Sequence, residues 1–258
     1  MEEEHYRDWA GLPVELTSSI MSRLNTVNVL EKAQKACMSW HLVCQDPSIW
    51  RKIDMHNDLG FMNLLTKIHH RDMCRQAVDL SHGGLVEIDI WYICTDSLLE
   101  HIADSASNLK TLRIAMCHEI LDHGLVEAAA KLPFLEELDI SYCSFEVETL
   151  KAVGQSCPHL KTLKLNYPVV GYDEDDFALA IAESMPGLRH LHLSGNHDMN
   201  NTGLKAILDG CPHLEHLDLR ECWKIELVGD LEDLCSERIR VLRRPGDPSP
   251  GPHPMFWL

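Results

Sequence analysis

A short sequence motif recurs along this chain and restricts the folds that it can adopt. Cys157-Pro-His-Leu and Cys211-Pro-His-Leu are each followed by two variable residues, a Leu, one residue and another Leu. Successive copies of the Leu-x-x-Leu-x-Leu spacing begin 24, 26, 25, 28, 26 and 25 residues apart. A regular period of this length predicts a stack of similar units. The copies begin at Leu85, Leu109, Leu135, Leu160, Leu188, Leu214 and, in degenerate form, Ile239, and Ala77–Ser81 is read as a partial first copy.

Each unit changes its periodicity halfway. The leucine core alternates apolar and polar residues, which predicts a short strand buried on one face. The second half has apolar residues at helical spacing, and Asp96, Asp122 and Thr202 are predicted N-caps of three of these helices. One strand and one helix cannot bury their apolar faces alone, but stacked units share a continuous core. The predicted fold class is α/β, a curved parallel sheet with helices on its convex side, as in leucine-rich repeats.

The cysteines recur at equivalent positions of the units. Cys117, Cys143 and Cys222 lie three residues after the last leucine, where Ile93, Pro168 and Asn196 stand in sister copies. At that point the chain turns off the sheet, and a small thiol can approach the backbone groups left pointing inward. We therefore predict ten reduced thiols that pack rather than pair. The Cys column and the Cys-Pro-x-Leu phrase resemble the cysteine-containing class of leucine-rich repeats over residues 76–244, about six to seven units.

Charge and composition limit the partners. The net charge is −17, so phosphate backbones repel the chain and nucleic acid is a poor partner. No apolar run approaches the ~20 residues of a membrane span, and the acidic N-terminus lacks the order of a secretory signal. We expect a protein of the nucleus or cytoplasm, or both, with no membrane partner.

The first fifty residues lack the period and have helical spacing instead. Leu12, Leu16, Ile20 and Leu24 lie four apart, and Pro13 suits the opening of a first helix. A second short helix is predicted near residues 29–34 and a third over residues 36–44, with Trp40 facing inward. Asp46-Pro47 then turns the chain towards Trp50.

These pieces resemble an F-box. The matching residues are Leu12-Pro13-x-Glu15-Leu16, Ile20, Leu24, Cys37-x-x-Trp40 and Asp46-Pro47-Ser48-Ile49-Trp50, in order and at family spacing. An F-box followed by leucine-rich repeats resembles the F-box/LRR proteins, above all the plant members. The resemblance implies a substrate receptor of an SCF-type ubiquitin ligase, whose F-box docks on a Skp-family adaptor and, through it, on a cullin. The residues it assigns to adaptor binding are Leu12, Pro13, Glu15, Leu16, Ile20, Leu24, Trp40, Ile49 and Trp50.

The predicted organisation has four parts. The F-box covers residues 8–55, a connecting helix 56–75, the repeats 76–244 and a Pro-rich disordered tail 245–258. Phe61, Leu64, Leu65 and Ile68 have helical spacing, so the connecting helix is expected to pack through them.

The repeats would bind an unknown protein substrate. Side chains between the strand leucines point away from the core. We expect a substrate that is basic at one end, packs on Trp91, and places acidic or polar groups near the late strands. The predicted substrate-binding residues are Trp91, Arg113, Asp139, Lys164, His190, His192, His216 and Arg220.

Other interpretations stay open at this point. The convex helices, the insert near Asp173–Asp176 or the tail can carry the substrate contact instead. The repeats can be a non-catalytic scaffold outside any ligase. His190, His192, His216 and Asp218 can form a metal site, but a polar floor explains them better because no ligand spacing supports a metal. We predict no catalytic residue, no metal and no cofactor.

Overall fold

The computed structural model describes residues 9–56, 63–167 and 175–249. Three short helices open the chain, as the sequence predicts: α1 (Val14–Met21), α2 (Thr26–Glu31) and α3 (Met38–Val43). Asn25 caps α2, because its side chain accepts a hydrogen bond from the backbone N–H of Asn28 at 2.9 Å. Short 3-10 segments lie between and around these helices, at Trp9–Gly11, Ala33–Lys35 and Pro47–Arg51.

One eight-stranded sheet runs through the rest of the described chain. All neighbouring strands are parallel, and their order in space is their order in the sequence. Each strand from β1 to β7 has a buried leucine or isoleucine, and Leu242 of β8 is half-buried. The Cα partners of successive strands place these residues opposite one another. The strands are β1 (Lys52–Asp54), β2 (Glu87–Trp91), β3 (Thr111–Ala115), β4 (Glu137–Asp139), β5 (Thr162–Lys164), β6 (His190–His192), β7 (His216–Asp218) and β8 (Val241–Arg243).

A helix lies between each pair of successive strands and packs its apolar side on the sheet. The helices are α4 (Leu64–Leu80), α5 (Asp96–Ser105), α6 (Asp122–Lys131), α7 (Val147–Ser156), α8 (Asp176–Ser184), α9 (Asn201–Gly210) and α10 (Asp230–Arg238). This confirms the predicted α/β class, a helical N-terminal part followed by a repeat solenoid. We call the side of the sheet away from the helices the open face. No helix in the described ranges has the length and apolar character needed to cross a membrane.

The thiols that lie three residues after the last leucine of each unit bond to the neighbouring repeat. Cys143 Sγ lies 3.1 Å from the carbonyl oxygen of Ile114, and Cys222 Sγ lies 3.2 Å from that of Leu193. All ten cysteines are free thiols, and all but Cys37 are buried. The column therefore satisfies backbone acceptors inside the stack, as its position predicted. Pro168 of this column lies outside the described residues.

The helix N-termini differ from the prediction in one respect. Asp96 and Asp122 are the first residues of their helices, and Thr202 is the second residue of α9, which Asn200 caps instead. The carboxylates of Asp96 and Asp122 bond to the next repeat. Asp96 Oδ1 accepts from the N–H of Leu121 at 2.9 Å, and Asp122 Oδ1 accepts from the N–H of Glu146 at 2.7 Å. These carboxylates tie successive repeats together along the helical side.

The sheet begins earlier than the leucine period. β1 pairs with β2, so the first strand lies inside the range predicted for the F-box. The interpretation of Ala77–Ser81 as a partial repeat is wrong, because α4 extends to Leu80. Trp50 and Ile53 belong to the same hydrophobic cluster as the buried residues of the repeats. The N-terminal helices and the repeats are thus joined through packed side chains.

The packed face predicted for the connecting helix is also wrong. Leu64, Leu65 and Ile68 are 66%, 78% and 43% exposed. The helix packs instead through side chains further along it, and it contacts α5 and β1. The buried residues of α4 are His70, Met73, Cys74, Ala77 and Val78. Phe61 lies outside the described residues.

Candidate functional site

The N-terminal helices expose an unusual amount of apolar surface. Leu16 of α1 is 54% exposed and Leu24, just beyond that helix, is 38% exposed. Contiguous exposed apolar surface marks sites of protein–protein contact. Sequence analysis assigned these two residues but missed others, although the i,i+4 spacing of Met38 and Leu42 marks them as one helix face. The exposed apolar residues that it missed are Trp9, Val14, Met38 and Leu42.

The other residues of the predicted stripe surround the start of α1. Pro13 is the N-cap residue and is exposed, and its carbonyl accepts the N–H of Thr17 at 3.0 Å. Glu15 is exposed in the first turn, while Leu12 and Ile20 are half-buried. The stripe therefore divides between the interior of the helical bundle and the surface. We call the exposed residues Val14, Leu16, Leu24, Met38 and Leu42 the apolar surface of the N-terminal helices.

The two predicted tryptophan anchors have structural partners. Trp50 is 1% exposed and its Nε1 donates to the carbonyl of Cys44 at 2.8 Å. The prediction that Trp50 contacts an adaptor is therefore wrong, because its side chain fills the core. Trp40 is half-buried and its Nε1 donates to the carbonyl of Trp9 at 3.0 Å. Ile49 is half-buried against the same core.

The open face carries a chain of ion pairs across its first five strands. Lys52 Nζ lies 3.0 Å from Glu87 Oε1, which also accepts from Arg113 at 2.6 Å. Arg113 Nε donates to Glu137 Oε1 at 3.0 Å, and Lys164 donates to the same oxygen at 2.9 Å. Hydrogen bonds from Arg113 and Lys164 outweigh burial and lower the pKa of Glu137. Positive and negative side chains thus alternate from strand to strand.

Two further carboxylates lie beside this chain of ion pairs. Asp139 Oδ2 is 3.8 Å from Lys164, and its Oδ1 accepts from the N–H of Ser141 at 3.0 Å. Asp89 Oδ2 is 3.8 Å from Arg113 Nη1. Burial raises the pKa of Asp89 despite that neighbouring charge. Most of the acidic charge on the early strands is therefore paired within the protein.

The late strands bring the predicted histidines together. The rings of His190 and His216 have centroids 4.4 Å apart, and His190 Nδ1 is 3.2 Å from Thr162 Oγ1. Burial and the neighbouring His216 lower the pKa of His190. His192 Nδ1 is 3.8 Å from Asp218 Oδ2. Within the described ranges, no group of three or more His, Cys, Asp or Glu residues is arranged to hold a metal ion.

Aromatic residues line the edge where the strands end. Trp91 packs against His56 with centroids 4.3 Å apart, and Tyr142 stacks on Tyr167 at 5.1 Å and 12°. Sequence analysis missed both tyrosines. Both have left-handed backbones, with φ of 59° and 48°. The corresponding position in the other repeats is also left-handed, at Tyr92, Met116, Gly195 and Glu221.

The start of the tail lies on this edge. The N–H of Glu221 donates to the carbonyl of Pro245 at 2.9 Å, and Arg220 Nη1 donates to that of Pro248 at 3.3 Å. A cavity of about 110 Å³ lies between Ser249 and the tyrosine pair. The first residues of the predicted disordered tail are thus in contact with the repeats, and residues 250–258 lie outside the described ranges.

The comparisons with known proteins agree with this arrangement. The F-box-like family model matches residues 9–56, and the leucine-rich repeat model matches residues 186–208 and 210–229. F-box protein SKIP19 of Arabidopsis thaliana is 55% identical over 249 residues, which cover 96% of this chain and 80% of that protein. The chain belongs to the F-box/LRR-repeat family.

Other members of the F-box/LRR-repeat family are also similar. F-box/LRR-repeat protein 23 of Arabidopsis thaliana is 54% identical over 96% of this chain, which spans 55% of the length of that relative. F-box protein SKIP1 of the same organism is 32% identical over 85% of this chain and 81% of its own length. The residues that match the F-box-like model, 9–56, are the ones that carry the apolar surface of the N-terminal helices.

Proposed function

We propose that the protein is the substrate-recognition subunit of an SCF-type ubiquitin-protein ligase. The observation that carries this proposal is the F-box-like domain at residues 9–56 with its exposed apolar surface. In this role the F-box docks on a Skp-family adaptor, which joins it to a cullin. The repeats hold a protein substrate, and the transfer of ubiquitin takes place on other subunits.

The exposed side chains supply a driving force for adaptor binding. Leu16, Met38 and Leu42 are each more than half exposed in a domain of about fifty residues. Covering apolar surface is favourable by roughly 25 cal/mol per Å². A partner that covers α1 and α3 would remove these side chains from water. The proposed contact therefore uses Leu16 and its exposed neighbours, with Trp50 supporting them from the core.

The N-terminal helices pack against the first strand of the sheet, which suits a receptor that must orient its substrate. Thr26 Oγ1 of α2 accepts a hydrogen bond from the N–H of Asp54 in β1 at 3.0 Å. Together with the shared hydrophobic cluster, this contact fixes the N-terminal helices against the first strand. A substrate held on the open face would then keep a set direction relative to the adaptor.

The open face offers a polar floor for that substrate. Its residues alternate with the buried leucines and are half-exposed. Because the ion pairs there are already formed, a substrate must provide polar groups that match them, which favours specificity over raw affinity. Trp91 adds a large aromatic surface of the type that dominates protein interfaces.

The test compares the wild-type chain with Leu16→Asp, captured from cells while the proteasome is inhibited. The adaptor and cullin should accompany the wild type and be absent from the variant. The substrate should accompany both chains but carry ubiquitin only with the wild type, because the variant holds it without the ligase. Leu121→Asp, which changes an equally exposed leucine among the repeats, is the control (Leu16 is 54% and Leu121 56% exposed). If all three chains captured the same proteins and cullin was absent from each, the result would instead favour a scaffold outside a ligase.

A further inference from the structure

A second surface lies at the edge of the sheet where the strands begin. The ladder of backbone hydrogen bonds extends one residue before each strand, for example from Lys161 N–H to the carbonyl of Glu136 and from Arg189 N–H to that of Lys161, both at 2.8 Å. The side chains at this position form one column along the solenoid. We call this column the basic edge. Its charged members are Arg51, Lys110, Glu136, Lys161, Arg189, Glu215 and Arg240.

The basic edge has more cations than carboxylates. Lys110 and Lys161 share Glu136, with Nζ–Oε distances of 2.8 and 2.6 Å. Arg189 and Arg240 share Glu215 in the same way, at 2.6 and 3.3 Å. Each cluster therefore carries a surplus positive charge.

The cations of the basic edge are accessible. The side chains of Lys110, Lys161, Arg189 and Arg240 are 56%, 51%, 49% and 76% exposed. The whole chain has a net charge of −17, so this surplus is opposite in sign to the rest of the molecule. A patch of one sign on a protein of the other sign attracts partners that the remainder of the surface repels.

A cavity that includes the exposed ring of Phe134 lies between the two lysines. Phe134 is 50% exposed, and its ring stacks on that of His159 with a centroid distance of 6.3 Å and an angle of 10°. The cavity has a volume of about 360 Å³. That volume is at the lower end of the range for ligand sites, about 300–1,000 Å³, and accepts a large side chain. Its lining residues are Asn108, Lys110, Phe134, Glu136, His159 and Lys161.

We propose that the basic edge binds an acidic segment of a partner protein, with an apolar side chain of that segment in the cavity beside Phe134. Carboxylates on either side of that side chain would pair with Lys110 and Lys161 and, further along, with Arg189 and Arg240. The six strands from β3 to β8 place these cations over about 24 Å, at ~4.8 Å per strand. Lys110, Lys161, Arg189 and Arg240 belong to none of the helices that expose the apolar surface, so this proposal does not depend on the ligase role.

The probe is a fluorescein-labelled peptide made of repeated Glu-Glu-Leu units, long enough to reach from Lys110 to Arg240. Fluorescence anisotropy measures its binding to the full chain at low and high salt. Binding should weaken as salt rises, because the Debye length falls from about 10 Å at 0.1 M to about 3 Å at 1 M. A Gln-Gln-Leu peptide and a Glu-Glu-Ser peptide should each bind more weakly, since one lacks the charge and the other the apolar side chain.

Charge reversal locates the contact. Lys110→Glu with Lys161→Glu should weaken binding by about tenfold or more, because two exposed contacts are replaced by repulsion. Phe134→Ser should weaken it without changing the charge. The matched control is Lys205→Glu with Lys224→Glu, which has the same change in net charge at lysines that pair with Asp209 and Asp198. Melting curves confirm that each variant is folded.

Three results would overturn the proposal. The first is a wild-type chain that does not bind the Glu-Glu-Leu peptide. The second is equal weakening by the control pair, which would mean that overall charge sets the binding. The third is self-association of the wild type that Lys110→Glu with Lys161→Glu abolishes, because the occupant would then be a second copy of this chain. Adaptor binding, measured in parallel, should be unchanged in every variant, so a failure here leaves the ligase proposal untouched.

Discussion

Arg220 and Asp218 form a close ion pair on the open face, with Arg220 Nη2 2.6 Å from Asp218 Oδ2 and Nε 2.9 Å from Oδ1. The Asp218 side chain is 4% exposed. Arg220→Ala would remove the guanidinium and leave this buried carboxylate with only the backbone N–H of residue 220 and the His192 ring beside it, which should cost up to about 3 kcal/mol of stability. Urea unfolding of Arg220→Ala and of Arg240→Ala, whose side chain is 76% exposed, measures this. Equal stabilities of the two variants would contradict the structural role of Arg220.

The same pair predicts a pH dependence. Burial opposes ionisation of Asp218, but hydrogen bonds from Arg220 and the neighbouring His192 ring outweigh it and hold the pKa of Asp218 well below its usual value. A depressed folded-state pKa gives stability that is present above about pH 4 and is lost as the pH falls towards the folded-state value. Asp218→Asn should therefore be less stable than wild type at pH 7 and should lose less stability below pH 4. Parallel acid slopes for wild type and Asp218→Asn would contradict this.

Trp50 should govern stability rather than adaptor contact. Trp50→Ala should cost about 3–5 kcal/mol, because a fully buried ring is replaced by a cavity. Leu16→Asp should change stability by about 0.5 kcal/mol or less, since Leu16 is on the surface. Denaturant titration of the full chain separates the two effects. A Trp50→Ala protein as stable as wild type would show that the core assignment is wrong.

Gly195 should tolerate no side chain. Its φ is +75°, and a Cβ there would collide with the ring of Tyr167. Gly195→Ala should therefore lose at least about 1–2 kcal/mol from the left-handed backbone, and more from displacing the tyrosine that stacks on Tyr142. Gly246→Ala is the matched control, because nothing lies within 4 Å of a Cβ at that position. Thermal melts that are the same for both variants would refute this packing.

The thiols should react in the order of their exposure. Burial raises the pKa of Cys117 to about 12 and that of Cys157 to about 11, which keeps both thiols protonated and unreactive at neutral pH. Brief alkylation of the native protein should label Cys37, the half-buried thiol, and unfolding should release the other nine. Mass spectrometry of the peptides gives the result. A disulfide-linked pair, or labelling of native Cys117 as fast as Cys37, would contradict the reading of these residues as packed thiols.

The sequence predicted the repeats well because one physical rule fixes them. Every Leu-x-x-Leu-x-Leu copy from Leu109 to Leu214 supplies the buried residues of a strand, since alternation leaves only one side for the core. The F-box was recognisable for a different reason, its ordered motif. β1 escaped notice because its pattern is a single buried residue, Ile53, between two polar ones. Three residues are too few for a period to be seen.

The predicted sites show where sequence reasoning stops. Helical spacing placed Leu64, Leu65 and Ile68 on one face of α4, but it cannot say which face meets the sheet. Trp50 was assigned to adaptor binding through the F-box motif, which does not show that its side chain is buried in the core. The pairing of Arg113 with Glu87 and Glu137 joins residues about 25 apart and follows from the strand register. The prediction of the substrate-binding residues did not include the strand register, so it could not show which charges pair with one another.

Docking of the F-box on an adaptor can be measured most directly by calorimetric titration of a purified Skp-family adaptor into the full chain. We expect saturable binding to the wild type and to Leu121→Asp, and weakening by at least about 2 kcal/mol, roughly thirtyfold, for Leu16→Asp. The two leucines are matched in exposure, so the comparison isolates the apolar surface of the N-terminal helices. No binding to the wild type, or the same affinity for all three chains, would contradict adaptor docking through this surface.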